Sequence, residues 1–167
     1  MTGEKYIRKH ISFNIKARKE IIEGILLSLS DNWSLLIKNP VDYVIDGFVL
    51  VHNPSIDSYK HDTENKFREK IISQKIKRIR TPKINLADTY AVFESLKLLD
   101  KVISINNKKG DIVWVGKIIG LLADSVTIKE LTPKAKWVGK KTVLFKDINC
   151  IQFDDDYVNS LLLIAAK

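Results

Sequence analysis

Hydrophobic and polar positions alternate with a period of two through most of this chain, in short runs broken by Gly, Pro, Asn and Asp. In the first half, His10 to Asn14, Glu20 to Leu29, Trp33 to Ile37, Tyr43 to Val51 and Ile56 to Tyr59 read as strands. Asp31-Asn32, Asn39-Pro40 and Asn53-Pro54 supply turns between them, and Asp46-Gly47 interrupts the fourth. In the second half, Lys101 to Asn106 and Ile112 to Val115 flank Asn107-Lys108-Lys109-Gly110-Asp111, a hairpin loop with a glycine where a positive φ is wanted. Lys117 to Leu122, Val126 to Leu131, Lys141 to Phe145 and Ile148 to Phe153 complete the set. Three segments switch to helical spacing. Phe67, Ile71, Ile72, Ile76 and Ile79 follow Asp62; Tyr157, Val158, Leu161, Leu162 and Ala165 follow Asp154-Asp155-Asp156; and Leu86 to Leu99 follows Asn85. Acidic residues suit a helix start, where unpaired N–H groups and the helix dipole favour negative charge.

The pattern occurs twice. Ile11-Ser12-Phe13-Asn14 returns as Ile103-Ser104-Ile105-Asn106, and Gly24, Leu29, Gly47, Val51, Ile56 and Asp62 return as Gly116, Leu121, Gly139, Val143, Ile148 and Asp154, all 92 positions later. A repeat this long points to a domain duplication, not a solenoid. The expected fold is mainly β with helices (α+β): two small β-barrels, each followed by a helix, with a helical connection between them. The expected boundaries are 5–80 for the first barrel and its helix, 81–100 for the linker and lead-in helix, and 101–167 for the second barrel and its helix. A unit of about 55 residues buries little apolar surface alone, so the copies are expected to pack as one unit.

Composition places the chain among globular proteins, with 45% hydrophobic and 29% charged residues. A single cysteine, Cys150, lies in an alternating run and reads as a core thiol; it cannot form an internal disulfide, which suggests a reducing, cytoplasmic setting. No apolar run approaches the length of a membrane span, so no membrane partner is expected. The net charge of +8 is concentrated: eight basic residues against one acid lie between Lys66 and Lys83.

Residues with catalytic potential do not converge in the sequence. His10, His52 and His61 have no metal-ligand spacing, and one cysteine excludes a Cys/His zinc site. The glycines match no phosphate-binding loop; Gly24/Gly116 and Gly47/Gly139 read instead as places of bending or close packing. Asp154-Asp155-Asp156 point in different directions on any regular backbone, so they read as a cap with solvated charge. No serine or threonine has an activating base beside it. The expectation is a non-enzymatic protein without catalytic residues, metal or cofactor.

Two features remain as candidate binding surfaces. Lys75, Lys77, Arg78, Arg80 and Lys83 form a basic stretch that could meet phosphates, or a solvated face, or a partner for the Asp154–Asp156 end. Trp33, Trp114 and Trp137 could stack bases; Trp33 and Trp114 alternate as core residues, whereas Trp137 sits among Lys136, Lys140 and other lysines and is expected to be accessible.

Val115-Gly116-Lys117-Ile118-Ile119 through Asp124-Ser125-Val126-Thr127-Ile128 resembles the opening strands of Sm-like or SH3-like small barrels, and Glu23-Gly24-Ile25-Leu26-Leu27 through Asp31-Asn32-Trp33-Ser34-Leu35 repeats it. The resemblance implies two fused SH3/Sm-like barrels of a bacterial type. Sm-like RNA sites use an Asp–Asn loop and a later Arg/Lys-Gly motif. Asp31-Asn32 echoes the first, Asp124-Ser125 departs from it, and His52-Asn53-Pro54 and Phe145-Lys146-Asp147 stand where the second would be. The leading expectation is a binding or adaptor protein of unknown ligand. RNA or single-stranded nucleic acid, and an acidic protein bound by an immunity-type partner, are the alternatives.

Overall fold

The computed structural model describes residues 4–16 and 21–165. Ten antiparallel strands form one sheet: β1 (His10–Ile15), β2 (Ile21–Leu29), β3 (Trp33–Lys38), β4 (Phe48–His52), β5 (Ile56–Lys60), β6 (Val102–Asn107), β7 (Val113–Leu122), β8 (Ser125–Leu131), β9 (Trp137–Leu144) and β10 (Ile148–Phe153). The spatial order is β5-β1-β2-β3-β4-β10-β6-β7-β8-β9. Three helices accompany it, α1 (Thr63–Lys75), α2 (Thr89–Leu98) and α3 (Asp156–Ile164). Glu20, read as the start of the second strand, and Arg18, Lys19, Ala166 and Lys167 lie outside the described residues.

The two halves share one pairing plan. Ile11 pairs with Gly24 and Ile103 with Gly116; Leu26 with Leu36 and Ile118 with Ile128; Val51 with Ser34 and Val143 with Val126; Ser12 with Lys60 and Ser104 with Gln152. Each second-half pair sits 92 positions after its first-half counterpart. The bulges coincide as well, at Leu27 and Ile119 and again where β1 meets β5 and β6 meets β10. Gly24 and Gly116 have the same steric duty, since a Cβ on either would run into the carbonyl oxygen of the facing strand, Ile37 or Lys129.

The sheet does not close, and the expected pair of β-barrels is absent. A first barrel would need β4 to pair with β5, and a second would need β9 to pair with β10. β4 is instead flanked by β3 and β10, and β10 by β4 and β6, so both edges of each are occupied. The hydrogen bonds that would seal each half run between the halves. Phe48, Val49, Leu50 and Val51 face Phe153, Gln152, Ile151 and Cys150 across this joint, with the Phe48 and Phe153 rings stacked at 5.2 Å. β5 and β9 are left as the outer edges. There the 92-residue correspondence puts Lys140 and Lys141 in place of Phe48 and Val49, and Ser58, Tyr59 and Lys60 in place of Cys150, Ile151 and Gln152.

One apolar cluster joins both halves. It unites Trp33, Leu35, Ile37 and Leu50 with Ile103, Ile105, Ile151 and Phe153, and α2 adds Val92, Phe93 and Leu96. A second holds Ile11, Phe13, Leu26, Leu36, Val49, Val51 and Cys150, so Cys150 is in the core as read. β3 and β4 are buried on both faces, which explains their near-continuous apolar sequences.

Several local expectations need correction. The fourth strand begins at Phe48, not Tyr43, because Pro40 and the left-handed Asp42 and Gly47 hold the preceding segment in turns. The segments 112–115 and 117–122 are one strand, since Gly116 admits a neighbouring carbonyl instead of breaking the strand. A Cβ built on Gly139 would meet nothing within 4 Å, so no close packing requires a glycine there. The lead-in helix starts at Thr89 behind Asp88, whose carboxylate accepts from the Ala91 N–H, while Asn85 closes a turn on Ala87. Of the Phe67-to-Ile79 stripe, Phe67 is exposed, Ile72 is fully buried and joined by Asn65, and Ile76 and Ile79 pack against the core from beyond the end of α1. α3 buries only Val158, while Tyr157, Leu162, Leu163 and Ile164 are exposed. Among the described residues no helix is long and apolar enough to cross a membrane.

Candidate functional site

The basic stretch runs from the last turn of α1 through a 3-10 turn at Ile76–Arg78 into extended chain. Ile76, Ile79 and Ile84 pack against the shared core, which turns Lys75, Lys77, Arg78, Arg80 and Lys83 to solvent. Lys75 donates to the Tyr43 carbonyl, and among the described residues none of these five forms an ion pair. The acidic end is engaged elsewhere. Asp154 is paired with Lys101 at 2.8 Å, Asp155 caps α3, and the Asp156 N–H donates to Asp46.

Lys136 and Lys140 are exposed at β9. Trp137 between them is only half-exposed, with the Lys129 ammonium 5.5 Å from its ring centroid. Trp33 is buried, whereas Trp114 is half-buried at the cluster margin beneath Lys141. The aromatic platform expected around Trp137 is thus partly covered by its own lysines.

The outer face of each half carries a groove beside its C-terminal helix, made from corresponding strand positions. In the first half Ser12, Asn14, Ile21, Glu23 and Lys60 line it; in the second, Ser104, Asn106, Val113, Val115 and Gln152. The first groove is packed with its own side chains. Asn65 of α1 donates to Ser12 Oγ and to His10 Nδ1, Ser12 donates to Glu23, and Arg68 of α1 donates to the other Glu23 oxygen at 2.6 Å. His10 Nε2 donates to Asn39, whose amide in turn donates to three carbonyls of the following turn. Every polar group in this chain of contacts has a partner, so the first groove is structural.

Burial holds His10 below the ordinary imidazole value against the opposing Asn39 hydrogen bond, and burial with nearby Lys108 does the same to His52. Both therefore bind a proton more readily unfolded than folded. Stability should be full above about pH 6.5 and fall as pH drops from there through the lowered folded values, by at most about 1.4 kcal/mol per pH unit for each histidine. Urea midpoints measured between pH 7 and pH 5 should decline, and His10→Gln should flatten the slope; an unchanged slope would refute the assignment. Asp62, held at about 2 mainly by Lys60, titrates in a separate and more acidic window.

The second groove lies where the two halves meet and opens into a cavity of about 440 Å³, against about 60 Å³ for the first. Lys38 and Asp46 enter from the first half, joined by an ion pair of 3.0 Å. Asp155 and Tyr157 enter from α3 and Glu130 from β8. Burial pushes the Asp46 carboxyl up, but the Asp156 N–H and Lys38 outweigh it and hold the group below the usual range. Burial also raises Asp155, with Asp46 adding to it against the Val158 N–H. Asp155 is 4% exposed; one oxygen accepts from the Val158 N–H, and the other has no hydrogen-bond partner among the described residues.

Sequence reasoning did not find this cavity. Its signal was the return of Ser12 and Asn14 as Ser104 and Asn106, two polar residues on a strand face that recur while the apolar face changes little. No three His, Cys, Asp or Glu residues converge on a metal position among the described residues. No family model, no curated protein and no solved structure matches the chain.

Proposed function

We propose that the protein is a non-catalytic binding module, built as a tandem duplication, that captures single-stranded nucleic acid on its basic ribbon. The observation that carries this reading is the state of Lys77, Arg78, Arg80 and Lys83: exposed, displayed along a 3-10 turn and the chain that follows it, and not ion-paired among the described residues. Phosphates would neutralise these cations and release counterions, which makes affinity depend steeply on salt. Lys136 and Lys140 would offer further positive charge at β9, with Trp137 as a partly exposed ring for a base.

Titration of a labelled single-stranded oligonucleotide tests the proposal. Four phosphate contacts predict a slope of about −3 in log K against log salt concentration. Lys77→Ala, Arg78→Ala and Arg80→Ala combined should reduce that slope by about 2 and leave the fold intact. Absence of binding at low salt, or an unchanged slope in the triple variant, would end the reading. Capture of an acidic protein that survives nuclease treatment would replace it.

A further inference from the structure

The first groove shows what this surface holds when it is filled. A carboxamide and a guanidinium descend from α1: Asn65 on Ser12, and Arg68 on Glu23 with a second bond to Glu64. Counted from the helix cap, Asn65 stands three positions after Asp62 and Arg68 six; in α3 the same steps from Asp155 reach Val158 and Leu161. The second half thus keeps the Ser and Asn of the strand face and lacks the cationic side chain that fills its counterpart. Val115 replaces Glu23, and the carboxylates come instead from Glu130, Asp46 and Asp155. Three acids there face one ammonium, Lys38, which is already paired with Asp46.

We infer that the junction cavity binds a small organic cation, a guanidinium or ammonium group on a short apolar stem, in the place that Arg68 takes in the first half. The size fits, since cavities of about 300–1,000 Å³ are usual for small-molecule sites. Glu130 and the junction aspartates supply the charge, Asn106 and Gln152 supply polar contacts, and Val113, Val115, Leu131 and Pro133 supply a wall for the stem. The buried Asp155 carboxyl at the cavity wall has one oxygen without a hydrogen-bond partner among the described residues, which a donor brought in by the ligand would satisfy. A bare metal ion fits less well, because no three such ligands converge among the described residues. The site uses none of the residues of the basic ribbon, so it stands or falls separately from nucleic-acid capture.

The test is amide proton–nitrogen correlation spectra of the intact protein, titrated with agmatine, arginine amide and cadaverine, with butylurea as the uncharged counterpart. Saturable shifts are expected at Ser104, Asn106, Gln152 and Tyr157 with at least one of the cations and not with butylurea. Glu130→Gln should weaken binding about tenfold, as loss of a charge-assisted contact does. Val115→Phe should abolish it by filling the cavity, with a dispersed spectrum showing that the fold survives. No shift at those residues up to about 10 mM would overturn the inference, since weaker binding carries no specific meaning. Shifts scattered over the surface, equal shifts with butylurea, or affinity unchanged in both variants would overturn it too.

Discussion

Phe153→Ala is expected to remove about 3–5 kcal/mol of stability, as truncation of a buried aromatic does, with about 1 kcal/mol of the loss tied to its ring partner. Phe153 is fully buried, stacks on Phe48 with the planes 19° apart, pairs with Ile103 on its other side, and belongs to the cluster that both halves share. Against the roughly 5–15 kcal/mol of an ordinary folded protein, such a loss is a large share of the total. Because the cluster crosses the joint, guanidinium denaturation should show one transition moved as a whole. Two separated transitions, with the first half unmoved, would contradict the shared core.

Gly24→Ala is the second large effect. One methyl group at Gly24 would meet the Ile37 carbonyl at less than any real Cβ contact, and the atom in the way is backbone in a strand buried on both faces. Neither strand can yield without breaking the β2–β3 ladder, so a cost of about 2–3 kcal/mol, at the upper end for overpacking, is expected. Gly116→Ala should behave alike, because the Lys129 carbonyl stands in the same relation to it. Gly139→Ala is the internal control, with open space around the added methyl. Thermal melts in which all three variants lose equally would refute the steric account.

Much of the strand plan was legible in the sequence because alternation is a local signal: Ile103-Ser104-Ile105-Asn106 declares its two faces without help from elsewhere. The choice of edge is not local. Nothing in Phe48-Val49-Leu50-Val51 says whether its free side meets β5 of its own half or β10 of the other, and that choice separates two closed barrels from one open sheet. Helical faces misled for a different reason. Asn65 and Arg68 look like surface residues by composition, yet their partners Ser12, Glu23 and His10 lie more than forty positions away and bring them inward. The sequence left open whether the basic residues face solvent or the Asp154–Asp156 end, because the isoleucines between them show which way they face only once the core they pack on is in place. The cavity escaped because it is the difference between two similar grooves, visible only once both helices are in place.

The joint at β4 and β10 joins unlike surfaces, and a link of that kind, repeated between molecules, closes into a ring or runs on as a filament. The correspondence between halves dictates how a neighbouring molecule would add to this one, with β9 against β5, and it would set Lys141 opposite Lys60 where the internal joint has Val49 beside Gln152. Two lysines facing across a ladder, one of them held by Asp62, without the apolar strip of the internal joint, disfavour that addition. The two outer strands therefore oppose a second use of the contact that the halves make once.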